Sequence, residues 1–557
     1  MTNKIVLRTN KIVLRTKIRM CPYFFILFLF CLVSCQKKQI PEKEIAKTNI
    51  LPAYGDTYVE TSLGDASYLN PILATDSASG SVNGYVYNGL VKYDRDIKLV
   101  GDLAERWTIS NHGLVITFKL RKNVKWHDGV PFTAEDVKFT YKKLIDPETK
   151  TPYSSDYKLV KSLDIIDKYT LRITYQEPFA PALESWGMGI VPKHIFESGD
   201  FNANPANRKP IGTGPYKFVE WKTDEKIVLV ANNEYFEGRP YIDRIIIKTI
   251  PDQAVQFLEL RNDSIDSMGL TPDQYKAYPE FFKNHNKFRY PSFAYTYLGF
   301  NLNHKLFKDR NIRQAIAQAI NKKEIVAGVL LGMGKPADGP FPPQSWAYDE
   351  NITDYEYAPE KSKELLKRSG FEDSDNDGWL DNKKIGIPKF EFTLITNQGN
   401  KMRALSAEII QSQLKKIGIK VNIRIIEWST FIHNFIDKRD FDAVILGWSL
   451  ARDPDQYAIW HSAETKEGQY NFVSYKNPKV DELLEKGRRT FDIKKRQRIY
   501  KEIHRIVHHD IPYVFLYYPE SLPVVHKRIQ NVEVAPIGLG WNFIKWYVPQ
   551  SKQKYSW

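Results

Sequence analysis

A strand–helix–strand unit in the second half of the chain limits the fold more than any other feature. Residues 392–395 (Phe-Thr-Leu-Ile) read as a short buried strand, and residues 402–417 as a helix with Leu405, Ile409 and Leu414 facing inward. Gly418 stops that helix. Ile419, Val421, Ile423 and Ile425 then alternate with Lys420, Asn422 and Arg424, the period-two pattern of a half-buried strand. A crossover of this length joins parallel strands with a right-handed connection. The unit predicts an α/β chain built on open sheets.

The same signals recur elsewhere. Leu114, Ile116, Phe118 and Leu120 share one strand face, and residues 171–175 repeat the pattern. Residues 227–230 and 245–247 are continuously apolar, as strands covered on both sides would be. Residues 131–136 read as a helix start, with Thr133 as N-cap and Glu135 and Asp136 in the positive first turn. Ile312, Ala315, Ile316, Ala319 and Ile320 form one stripe of a helix over 311–320. A strand over 441–447 and a helix over 494–509, ending before Pro512, complete the pattern.

The N-terminal segment reads as an export signal. Lys11, Arg15, Lys17 and Arg19 precede an apolar run from Tyr23 to Val33, which is too short to span a bilayer's ~30 Å of hydrocarbon. Before it, Asn-Lys-Ile-Val-Leu-Arg-Thr stands twice, at 3–9 and 10–16. Two such copies build no repeat fold, and a duplicated leader or a start nearer Met20 accounts for them. The run closes on Leu32-Val33-Ser34-Cys35, which resembles the lipobox of bacterial lipoproteins. That resemblance implies cleavage before Cys35, lipidation of its thiol, and residues 36–53 as a polar tether.

Without residues 1–35 the chain keeps 522 residues, enough for two or three domains. It holds 74 Lys and Arg against 66 Asp and Glu, a mixed surface with no basic tract interleaved with aromatics, which argues against nucleic acid. Cys21 and Cys31 leave with the leader, so no disulfide forms and stability rests on core burial.

No catalytic constellation survives inspection: no G-x-S-x-G, no H-E-x-x-H and no G-x-x-x-x-G-K-[ST]. Residues 332–337 nominally fit a dinucleotide fingerprint, but Pro336 and the prolines that follow forbid the helix it needs. His508 and His509 are adjacent, poor metal-ligand spacing on a helix. Asp373, Asp375, Asp377 and Asp381 around Gly378 resemble the start of an EF-hand calcium loop, although Lys384 stands where a bidentate Glu belongs. A structural calcium site and an Asp-rich surface turn are the two readings of that loop; no other cofactor is expected.

Residues 102–107 (Asp-Leu-Ala-Glu-Arg-Trp) and 120–137, with 211–216, 233–243, 297–302 and 511–518, resemble the extracytoplasmic solute-binding proteins of ABC importers, family 5, the peptide/nickel branch. The resemblance implies a periplasmic-binding-protein type II fold of the cluster C kind, a two-lobed clamshell with an additional subdomain in lobe I. Carried onto this chain, lobe I takes residues 54–90, 206–296 and 513–557, its inserted subdomain 91–205, and lobe II 297–512. The connections between lobes would fall near 295–301 and 511–518. The implied function is capture of a peptide between the lobes by a monomeric, lipid-anchored, non-enzymatic protein on the extracytoplasmic side, periplasmic or at the cell surface. A membrane permease would take the ligand from it. A sugar or nickel chelate in the same fold, or a chaperone-like or adhesive surface lipoprotein, are the alternatives.

Family position marks Ser77, Ala78 and Ser79, then Gly447, Trp448 and Ser449, then Asn471 and Tyr518, as ligand-binding candidates. Small residues allow close backbone approach, Trp448 offers a flat wall, and Asn471 both donates and accepts. Where family members often carry an acid for the peptide amine, this chain has Leu450, Ala451 and Arg452. Arg452 would face either a ligand carboxylate or solvent.

Overall fold

The structure, a computed structural model, describes residues 51–555 apart from Tyr278. The signal segment 1–35, Cys35 and residues 36–50 of the tether lie outside the described residues. No helix among the described residues is long and apolar enough to cross a membrane.

Among the described residues, two seven-stranded mixed sheets organise the chain. The first runs in the order His285–Lys287, Pro523–His526, Ser267–Gly269, Thr57–Ser62, Arg244–Thr249, Lys226–Ala231, Tyr216–Lys222. Ile245 and Ile247 enter the large core on one face, while Ile246 packs against a second cluster around Val59, Phe257 and Leu260 on the other. Coverage on both faces explains the unbroken apolar run.

The second sheet runs Tyr290–Pro291, Tyr513–Ser521, Ala294–Phe300, Ala443–Ser449, Glu391–Asn397, Lys420–Ile426, with Gly334–Pro336 added along Tyr513–Ser521. The crossover unit is here: Glu391–Asn397 and Lys420–Ile426 lie parallel with Phe392 opposite Val421, joined by the helix Lys401–Lys415. Gly418 follows it at φ +79°, a conformation that favours glycine. Helix Arg310–Ala319 buries Ile312, Ala315, Ile316 and Ala319, each isoleucine contributing about 1.5–3 kcal/mol. Arg313 is buried with them, its guanidinium donating to the carbonyls of Phe307, Asp510 and Ile511.

A four-stranded antiparallel sheet, Ala104–Ser110, Val115–Leu120, Thr170–Tyr175 and Val160–Asp167, forms within the segment 91–205. Helix Ala134–Ile145 belongs to the same segment, and its Thr133 cap and Asp136 complete a reciprocal capping box. The core under this sheet is continuous with that of the first large sheet.

The chain passes between the large sheets twice, through residues 288–289 and through Leu522, and the strand segments beside the two crossings pair with each other. Between them Tyr290 pairs with Ser521 and Pro291 with Glu520. The segments 295–301 and 511–518 therefore are not the connections. Ala294–Phe300 is paired on both edges, to Ala443–Ser449 and to Tyr513–Ser521, which fixes 294–300 and 513–517 in the second sheet. The division expected at 512/513 moves to about residue 522, where Pro523–His526 enters the first sheet.

Candidate functional site

The ends of two second-sheet strands build one wall of a cleft. Ala294–Phe300 and Ala443–Ser449 run antiparallel, with Tyr295 opposite Trp448 and Thr296 opposite Gly447. Beyond the last pair the chain continues through Leu450 and Ala451 along the cleft. The facing wall comes from Thr75, Asp76 and Ser77 at the start of helix Ser77–Val86, and from Tyr153 and Asp156 of the inserted segment. The cavity between these walls measures about 620 Å³, within the range of small-molecule and peptide sites.

The lobes meet around it. Tyr153 and Tyr470 share a hydroxyl–hydroxyl bond of 2.9 Å. The Ala180 amide donates to the Arg488 carbonyl at 2.6 Å, and Arg489 pairs with Glu177 at 2.8 Å. On the far side Lys401 reaches Asp273 at 3.0 Å. Gly64 lies so close to Trp428 that an added Cβ would sit 2.5 Å from its ring. These contacts define a closed clamshell.

The lining is mostly apolar and aromatic. Trp448 is half-buried, edge-on to Tyr470 at 5.1 Å and tilted against Phe472 at 5.9 Å. One cation stands among these side chains. Arg403, in the first turn of helix Lys401–Lys415, donates to Asn397 Oδ1 at 2.6 Å and has no carboxylate within ion-pair distance among the described residues. Its removal from water pulls its pKa below the ordinary arginine value. Gly447 makes room for it: a Cβ there would lie 3.1 Å from the guanidinium and 2.9 Å from the Tyr295 carbonyl.

The acids of the cleft are already engaged. Asp76 caps its helix, accepting from the Ser79 amide at 3.0 Å and the Ser79 hydroxyl at 2.6 Å. Asp437 pairs with His433 at 3.1 Å, and this bond together with the charge raises the imidazole pKa. Asp453 takes both Arg496 nitrogens at 2.5 and 2.7 Å. Asp156 and Asp455 share Arg488.

Of the candidates named from the sequence, Ser77, Gly447, Trp448 and Ser449 line the cavity. Ala78 is half-buried beside Ser77 and outside the lining. Ser79 is buried, and its hydroxyl also accepts the Ser67 and Tyr68 amides, so it braces the loop instead of meeting a ligand. Asn471 is fully buried, bonded to His461 and Tyr475 through their backbones. The Tyr518 hydroxyl is held by Asp338 and Gly339. Both are structural because their polar atoms are satisfied inside the lobe. Arg452 faces neither the cleft nor open solvent: it stacks on Phe293 at 3.9 Å and donates to the Ile537 carbonyl at 2.8 Å.

The Asp-rich loop splits the set of four. Asp373, Asp375 and Asp377 bring carboxylates within 4.8 Å of one another at the exposed surface. Asp381 instead accepts the Ser374 amide at 2.8 Å, and Lys389 pairs with Asp377 at 2.8 Å.

Arg403 and the aromatics Tyr153, Trp428 and Tyr470 were not singled out from the sequence. A signal for Arg403 exists: a cation in a helix's first turn opposes the helix dipole, so it calls for an anion nearby.

Comparison with known proteins agrees with this architecture. Residues 98–470 match the bacterial extracellular solute-binding proteins, family 5. The chain is 36% identical over 544 residues to the oligopeptide-binding protein AppA of Bacillus subtilis, covering 96% of this chain and 99% of that one. The AppA structure in complex with a nonapeptide aligns with TM-score 0.85 over 89% of this chain and 100% of AppA. DppA of Helicobacter pylori, in complex with the peptide STSA, aligns at TM-score 0.81 and 30% identity over 89% of this chain and 99% of DppA. NikZ of Campylobacter jejuni, in complex with Ni(L-His), aligns at 0.80 and 30% over 88% and 99%. With its fold, its interlobe cleft and most of its length in common with these proteins, the chain belongs to the bacterial extracellular solute-binding proteins of family 5.

Proposed function

We propose that the protein captures peptides in the cleft and delivers them to an ABC-importer permease, without making or breaking a covalent bond in them. The observation that carries this reading is Arg403: a guanidinium without a carboxylate partner among the described residues, in a cleft whose acids are already engaged, suits the terminal carboxylate of a peptide. Similarity to the oligopeptide-binding AppA and to DppA with its bound peptide supports it. Among the described residues the cleft wall holds no imidazole or thiolate for direct nickel ligation. Binding favours the closed form by its differential affinity for closed over open, and the closed shape is what a permease distinguishes. A lipid at Cys35 would keep this monomeric carrier at the extracytoplasmic membrane face.

Native mass spectrometry of the purified mature protein tests the reading. A mixed population of peptides supports it. A single sugar or chelate overturns the ligand class, and an empty cleft that takes unfolded segments weakly points to a chaperone-like or adhesive role. Arg403→Gln is expected to weaken a free peptide about tenfold and to leave its C-terminal amide unchanged.

A further inference from the structure

A second chamber of about 540 Å³ adjoins the cleft. Both lobes build it: Tyr93, Leu183 and Glu184 on the first side, Trp346 and Arg452 on the second. The partition between the chambers is thin. Ser345 lines the cleft and Trp346 the chamber; Ala451 lines the cleft and Arg452 the chamber; Asp453 lines both. Phe293 on the cleft side lies directly under the Arg452 guanidinium.

Each space holds one charged group of interest without an ion-pair partner among the described residues. In the cleft Arg403 lacks an anion, while Asp156, Asp437, Asp453 and Asp455 are paired with basic side chains and Asp76 caps a helix. In the chamber, which Arg452 also lines, the group without an ion-pair partner that concerns an incoming cation is an acid. Glu184, on the short helix Ala182–Ser185, has no cation within ion-pair distance among the described residues. Burial and the neighbouring Asp453 push its pKa up to about 7, although the Tyr93 hydroxyl bonds it. An arriving ammonium would relieve that penalty.

We propose that this chamber receives the amino-terminal part of a peptide too long for the cleft, and that Glu184 is the counter-ion of its terminal ammonium. The proposal rests on the peptide reading above. It assigns the carboxyl end to Arg403, the amino end to Glu184, and the passage beside Asp453 to the backbone between them. Asp453, which lines both spaces, marks where a chain that fills the cleft would pass into the chamber.

The test uses the mature protein with a tetrapeptide and a nonapeptide of one alanine-based series, each with a free or an acetylated amine, by titration calorimetry. Extended, the nonapeptide reaches roughly 30 Å. Glu184→Gln should weaken the free nonapeptide about tenfold and leave the acetylated nonapeptide and the tetrapeptide unchanged. Ile109→Trp, at an exposed position on the chamber wall, should weaken both nonapeptides and spare the tetrapeptide. Equal losses for all ligands, or full retention of amine dependence in Glu184→Gln, would overturn the proposal and move the ammonium elsewhere, Asp76 being the remaining acid. If wild-type protein bound neither peptide, the peptide reading itself would fall, and this proposal with it.

Discussion

Arg488 of the second lobe donates to the Asp156 carboxylate of the inserted segment at 2.6 Å, while the same guanidinium holds Asp455 at 2.8 Å. The arginine side chain is 6% exposed and lies over Tyr457 at 3.9 Å. One of its two partners is thus in its own lobe and the other across the gap. Closing exchanges water for Asp156 at a cation that is already prepaired.

Asp156→Asn tests this latch. The variant keeps Arg488 paired with Asp455, so no buried charge is left alone. Losing a charge-assisted bond should reduce ligand affinity by about tenfold, and small-angle scattering of the liganded protein should show a larger open fraction. Unchanged affinity would reduce the contact to decoration.

Gly64 and Trp428 meet across the cleft with no room between them. Gly64→Leu should leave the thermal midpoint of the free protein nearly unchanged, because the open form accommodates the side chain. Ligand-induced stabilisation should shrink sharply, since closing would drive the leucine into the indole. Differential scanning fluorimetry with and without peptide reads both quantities.

Trp448 contributes a wall rather than a fastening, its indole N–H meeting the Tyr513 hydroxyl only at 3.4 Å. Trp448→Ala is expected to preserve folding, seen in an intact cooperative melt, and to abolish the ligand-induced rise in the melting midpoint. A full rise in the variant would remove Trp448 from the site.

Glu60 contributes a pH dependence to stability. Burial raises its pKa to about 7, against the opposing hydroxyl bonds of Tyr85 and Tyr58. A raised carboxyl binds its proton more tightly in the folded than in the unfolded chain, so this group's favourable contribution is present at acid pH. That contribution is lost as pH climbs from the unfolded value near 4.5 through 7. Glu60→Gln should therefore stabilise the protein by on the order of 2 kcal/mol at pH 8 and have little effect at pH 5. Chemical denaturation at the two pH values separates these outcomes.

Local patterning carried most of the architecture. Thr133, Gly418 and the Ile312–Ile316 stripe sit where periodicity and capping chemistry put them, because those signals depend on near neighbours. The connections between lobes fall elsewhere because Ala294–Phe300 is buried along nearly its whole length without an alternation that tells which sheet it joins; only its pairing on both edges decides that. The site divided in the same way. Gly447 and Trp448 end a legible strand and do face the cleft. Asn471, Ser79 and Tyr518 are polar residues whose partners are distant or backbone groups, so their satisfaction is invisible in the chain's order. Arg403 lies in the first turn of a helix whose periodic signal comes from its apolar face, and a single basic residue adds nothing to that period.

The lacing of Tyr290–Pro291 to Glu520–Ser521 limits how the molecule can move. Two independent tethers would let the halves slide, shear and swivel. Two tethers zipped side by side act as one flat ribbon, soft to flexing across its face and stiff in its own plane. The jaws are left with essentially one swing, so every passenger is judged along the same arc.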